Sequence, residues 1–167
     1  MTTWSFNSHT FTKCSITEIL VIPSIEVHKI LVEISSQFSS VFFLDTIGNL
    51  TIYNDFYSLN LNIVTVTSIR KFLRVLKGLS NSNTELLIID SVSFLSDVNV
   101  PVYTHFYSLL SSLCTKNNLT IICTNHYRNT TKNCFGPKLG VVWNNLVTHR
   151  IFYKYEKNKI TYEITTN

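Results

Sequence analysis

An α/β fold, with a mainly parallel sheet flanked by helices and closed by an antiparallel β-hairpin, is what three features of this 167-residue chain predict. Short runs rich in β-branched residues recur along it. Stretches with helical spacing lie between these runs. The carboxyl-terminal segment then changes to strict alternation of apolar and polar residues.

The strand runs are VFFLD (Val41 to Asp45), NIVTV (Asn62 to Val66), ELLIID (Glu85 to Asp90) and LTIICTN (Leu119 to Asn125). They are apolar almost throughout, as strands covered on both faces can be. Ile30, Leu31, Ile34 and Phe38 make one helical stripe, Ile69, Phe72, Leu73 and Leu76 a second, and Phe106, Leu109, Leu110 and Leu113 a third. This βαβαβ order implies right-handed crossovers over a parallel sheet. LVTHRIFYKY (Leu146 to Tyr155) and KITYEITT (Lys159 to Thr166) alternate around a polar EKN turn, which predicts the closing hairpin.

The length fits one domain: an amino-terminal arm over residues 1–15, then a core over residues 16–167. Hydrophobic residues reach 45% and aromatics 13%, but charged residues only 14%. Ordinary globular chains carry roughly 25% charged residues, so part of the apolar surface is expected to meet a partner. The net charge of +4 permits nucleic-acid contact without requiring it.

Cys14, Cys114, Cys123 and Cys134 form no CxxC pair and read as reduced intracellular thiols. His28, His105, His126 and His149 share no metal spacing, so no metal site is assigned. MTTWSFNSHTF lacks the basic flank and apolar core of a signal peptide. No run approaches the roughly 18 apolar residues of a membrane span. A soluble cytosolic or nuclear protein is expected, and the N-x-[ST] triplets at Asn49, Asn118 and Asn129 are chance matches.

A buried strand ending on an acid, as in ELLIIDSVSFLSD, is where many nucleotide hydrolases hold magnesium. Such a domain also needs GxxxxGK[ST] before its first helix, so that backbone N–H groups approach the phosphates and a lysine supplies charge. The segment in that place, ITEILVIPSIEVHKILVEI (Ile16 to Ile34), has neither glycine nor the Lys-Ser/Thr pair. Lys29 is the nearest cation, and a lysine without its glycine loop reads as a solvated helix residue.

Ile16 to Thr166 resembles, in order, the RecA-like core of eukaryotic strand-exchange recombinases and their paralogs. ITEIL is similar to the I-T-E-[apolar] opening that leads into the family's phosphate loop, here VIPSIEVH (Val21 to His28). VFFLDTIGNL is similar to the D-T-E-G segment whose glutamate is the catalytic base, with Ile47 at that position. ELLIID matches the strand whose terminal acid, here Asp90, associates with magnesium, and LTIICTNHYR the strand that enters the second DNA-binding loop. PKLGVVWNNLVTHRIFY carries Gly140, Trp143 and Arg150 at the family's spacing. Taken singly, Trp143 reads as core and Arg150 as a solvated strand residue.

The resemblance therefore implies a remnant nucleotide site at Val27, His28, Asp45, Ile47 and Asp90, with no cofactor. Isoleucine cannot accept a proton, so hydrolysis is not expected. The first DNA loop of the family corresponds to Asp97 to Pro101, which is short and carries no cation. The second, NHYRNTTKNCFGPK, brings Arg128, Lys132 and Lys138 beside Tyr127 and Phe135, the chemistry of phosphate neutralisation and base stacking. Arg70, Lys71, Arg74 and Lys77 make a basic helix face, which reads first as an ordinary solvated face and second as an aid to a DNA path formed with partners. Trp4, Phe6 and Phe11 on the arm either pack on the chain's own sheet or anchor a partner.

By resemblance, this is a non-catalytic subunit of a Shu-type or paralog mediator complex, acting in the nucleus in homologous-recombination DNA repair. The implied partners are other recombinase paralogs, a SWIM-domain protein, the recombinase filament and DNA, in a hetero-oligomer with no membrane. Two other readings stay open: a degenerate phosphate-loop ATPase, and an unrelated α/β interaction scaffold.

Overall fold

A computed structural model describes residues 3–22, 25–48, 61–97, 99–129, 135–137, 139–156 and 159–167. Its main sheet runs in the order β10(Lys159–Thr166), β9(His149–Glu156), β3(Ile16–Val21), β7(Thr120–Asn129), β6(Leu86–Asp90), β4(Val41–Asp45), β5(Leu61–Thr65). From β9 to β5 every neighbouring pair is parallel. β10 is antiparallel to β9, in the expected closing hairpin. The fold class read from the sequence is therefore present at the level of α/β layers, parallel sheet and terminal hairpin.

The central strands are apolar because both faces are covered. On one face, Ile19, Val21, Phe43, Ile88 and Ile151 pack against Leu31 and Ile34 of α1(Val27–Ser35). On the other, Leu44, Leu87, Ile89 and Ile121 meet α2(Ile69–Leu79), α3(Val100–Lys116) and α4(Gly140–Leu146). Ser68 caps α2 by accepting the Lys71 N–H at 3.3 Å, and Asn99 caps α3 by accepting the Val102 N–H at 3.2 Å, with Pro101 in the first turn. These are the residues that satisfy orphan N–H groups best.

Two elements were not legible as such. Residues 3–12 form a hairpin, β1(Thr3–Phe6) and β2(His9–Thr12), rather than a loose arm. Asn7 and Ser8 both adopt positive φ, 46° and 68°, which suits the twist of a two-residue hairpin turn. Alternation then places Trp4, Phe6 and Phe11 on one face. Trp4 stacks on Phe11 at 4.3 Å, and all three are buried against the α1 face of the sheet. Of the two readings offered for these aromatics, packing on the chain's own sheet is the one realised; buried side chains are not available to anchor a partner. The second element is α4, which carries Trp143 at 0% exposure.

The segment read as the second DNA loop begins as an extension of β7. Tyr127 pairs with Pro137, Arg128 with Gly136 and Asn129 with Phe135 of β8(Phe135–Pro137), antiparallel. Tyr127, Arg128 and Phe135 thus lie on paired strands; Lys132 and Lys138 lie outside the described residues. No described helix is long and apolar enough to cross a membrane.

Candidate functional site

Ligands of open α/β sheets bind beyond the carboxyl ends of the strands, and the buried Asp45, Asp90, Ser91, Thr124 and Asn125 gather at that edge. Asp45 ends β4, Asp90 ends β6, and the two stand opposite each other in register. Both are nearly inaccessible, at 2% and 4%. One oxygen of Asp45 accepts the N–H groups of Ile47 and Gly48 at 3.0 and 2.7 Å, closing the turn that Gly48 completes at φ +79°. The other, Oδ2, is buried without a partner among the described residues. Thr124 of β7 donates its hydroxyl to Asp90. Burial, with the nearby Asp45 adding to it, holds the Asp90 carboxyl above the usual aspartate range.

A chain of hydrogen bonds then runs across the strand ends. Thr46 Oγ1 accepts the Ser91 N–H at 2.7 Å and donates to its carbonyl at 2.6 Å, tying β4 to β6. The Ser91 hydroxyl donates to Ser93 at 2.9 Å, and Ser93 to Asn125 Oδ1 at 3.0 Å. Asn125 Nδ2 donates to Glu18 at 2.6 Å.

Glu18 is the hub of this network and is 0% exposed in the middle of β3. Trp143 Nε1 donates to Oε1 at 2.5 Å, and Arg150 Nε to Oε2 at 2.6 Å. Arg150 also donates to Asn144 Oδ1 at 2.9 Å. A carboxylate taken out of water is tolerable only with such charge-assisted partners. Arg150 is thus a buried counter-charge, and Trp143 has a polar duty beyond filling the core.

Sequence reading singled out Asn125, Trp143 and Arg150 within motifs but did not see that they meet, and it gave Glu18 no role. Half of the signal was in the sequence, since one acid inside the apolar run ITEILV requires a cationic partner; that the partner is Arg150 follows from the pairing of β9 with β3 at Glu18.

The connection from β3 to α1 has its own geometry. The Ile25 N–H donates to Ile22 O at 3.0 Å, Val27 N–H to Ile25 O at 2.9 Å, and Lys29 N–H to Glu26 O at 3.0 Å. These three N–H groups, near where an anion would sit at a helix start, are therefore bonded within the turn. Glu26 occupies the cap position without a capping bond and pairs with Lys29 at 2.6 Å. The Lys29 hydrogen bond and charge keep its carboxyl below the usual range, so negative charge sits where a polyphosphate would approach. Val27 and His28 follow in the first turn of α1. Ile47 is 45% exposed beyond Asp45.

Arg70, Lys71, Arg74 and Lys77 are all exposed on α2, opposite the buried Phe72 and Leu76. Lys71 Nζ donates to Thr65 O at 2.6 Å. Among the described residues no carboxylate pairs with Arg70, Arg74 or Lys77. α2 starts at the same sheet edge where β7 runs out toward Arg128, but β4 and β6 lie between β5 and β7. Three strand steps of about 4.8 Å separate β5 from β7 by roughly 14 Å.

An open cleft of about 740 Å³ lies at the other side of that edge, over β9 and β10. Val21, Ile22, Phe152 and Tyr155 supply its apolar wall, with His126 and Lys154 among its polar groups. It is displaced along the strand order from the Asp45–Asp90 pair. Among the described residues no three histidines, cysteines or acids gather to hold a metal ion. Set against known proteins, the sequence matches no family model and no curated protein significantly.

Proposed function

We propose that this chain is a non-catalytic recombinase paralog with a RecA-like core, a nuclear subunit of a mediator complex that assists recombinase filament assembly in homologous-recombination DNA repair. The observation that carries the reading is the meeting of its separate motif residues. Glu18 from ITEIL, Asn125 from CTNH, and Trp143 and Arg150 from the last motif share one buried network. Accidental matches scattered over residues 16–150 have no reason to converge on one carboxylate.

Two further observations favour a subunit over an ATPase. The β3–α1 turn bonds the N–H groups of Ile25, Val27 and Lys29 internally and sets Glu26 at the helix start, and the position after Thr46 is an isoleucine. The Asp45–Asp90 pair and its hydroxyl partners then hold strand ends together. DNA contact falls to the β7–β8 hairpin with Arg128, Lys132 and Lys138, with the α2 cations flanking it.

Calorimetric titration with ATP and magnesium tests the non-catalytic part. No saturable heat is expected; tight binding that Asp90→Ala abolishes would instead favour the degenerate ATPase. The partner part is tested by what co-purifies with the chain, since an unrelated scaffold would bring down no recombination protein.

A further inference from the structure

Among the described residues, β10 closes the sheet with its outer backbone edge open. Its pairing with β9 is unbroken from Lys159↔Glu156 to Thr166↔His149, and among the described residues no strand lies on its other side. The eight residues KITYEITT contain no proline and no glycine. Edges of this length are normally blunted by such residues or by a bulge, because unpaired N–H and C=O groups template further strands. One face of β10 exposes Ile160 at 45% and Tyr162 at 36%, next to Tyr155 of β9 at 57%. Lys159, Thr161 and Glu163 alternate on the other face.

We propose that β10 pairs antiparallel with β10 of a second copy of this chain, about a two-fold axis at Thr161. In this register Lys159 faces the second copy's Glu163, and Ile160 faces the second copy's Tyr162. The two-fold repeats both pairs, so each charge finds its opposite and each apolar residue an apolar neighbour. The sequence selects this register over its neighbours. Centred on Ile160, Lys159 would face Thr161; centred on Tyr162, it would face Thr165, and in neither register would Lys159 meet an acid. Lys154 already lies 3.1 Å from Glu163, so the pairing extends an existing charge ladder across the join. The hairpin turn at Asn7 approaches Tyr162 from the sheet face, with the Tyr162 hydroxyl 3.5 Å from Asn7 O, and leaves the edge open. This assignment does not rest on the recombination reading.

Sedimentation velocity of the purified full chain over a concentration series tests it. A reversible dimer is expected, with a dissociation constant on the order of 10 μM for so small an interface. Lys159→Glu places like charges opposite each other twice and should weaken the dimer roughly tenfold or more. Lys159→Glu combined with Glu163→Lys should recover most of that loss, with far-UV circular dichroism verifying the fold of each variant. A chain that stays monomeric up to about 200 μM overturns the proposal. So does a dimer whose affinity Lys159→Glu leaves unchanged, or a β10 that accepts only a different protein.

Discussion

Neutralising Glu18 attacks the network at its hub. Glu18→Gln keeps the side-chain volume and an acceptor for Trp143 and Asn125, but turns an amide toward Arg150 Nε, which now lies 2.6 Å from a carboxylate oxygen. Arg150 is only 7% exposed, so its charge cannot recover its hydration. Removing one partner of a buried pair costs about 3–5 kcal/mol, a large part of the roughly 5–15 kcal/mol that holds a domain folded. At a urea slope of about 2 kcal/mol/M, a loss of about 3 kcal/mol lowers the midpoint by about 1.5 M. Arg150→Met should cost a similar amount, because it strands the carboxylate. The double variant strands neither charge and should fall short of the sum by about 2–3 kcal/mol. Urea melts of the four proteins, with unchanged slopes, measure this. Single losses below about 1 kcal/mol that simply add would mean instead that Glu18 is hydrated and the pair is not buried.

Folded Asp90 holds its proton more tightly than the unfolded chain. Between the ordinary aspartate value of about 3.9 and its raised folded value the native state binds the extra proton, so stability falls as pH rises through that window. Asp90→Asn should therefore raise stability at neutral pH and flatten that slope in urea melts; a loss of stability at neutral pH would contradict the assignment. Cys114, pushed up to about 11 by burial, and the fully buried Cys123 should resist a maleimide at neutral pH in a Cys134→Ser background, while the exposed Cys14 reacts. Mass-mapped labelling distinguishes them, and rapid modification of Cys123 would show that the β7 core opens easily. If the β7–β8 hairpin contacts single-stranded DNA, Arg128→Ala with Lys132→Ala should reduce the log–log salt slope by about 1.4; an unchanged slope removes that hairpin from the DNA path.

Parallel strands and amphipathic helices were legible because each announces itself by a local pattern. ELLIID and LTIICTN have no polar face to hide, and SIRKFLRVLKGL sorts cations from apolar residues turn by turn. The amino-terminal hairpin also had a local signal, with Trp4 and Phe6 alternating before Asn7-Ser8. Its partner was not local: the surface that buries those rings is built from α1 and distant strands. Glu18 was hidden for the same reason. Its three donors come from β7, α4 and β9, more than a hundred residues away in sequence, and only the sheet order brings them to β3. Arg150 looked like a solvated strand cation because alternation on β9 says which face it takes but not what covers that face, which is α4. The α2 cations show the converse. Their exposed face was correctly read, but whether it meets phosphate depends on a ligand rather than on the fold.

If this chain works as a subunit of a recombination complex, as proposed, its native companions are the most direct evidence. Quantitative mass spectrometry of the tagged chain purified from its own cells should recover recombinase paralogs or a SWIM-domain protein in near-stoichiometric amount, and Glu18→Gln, which loosens the fold, should diminish them. A chain recovered with no recombination protein, under conditions in which it remains folded, would rule out that role.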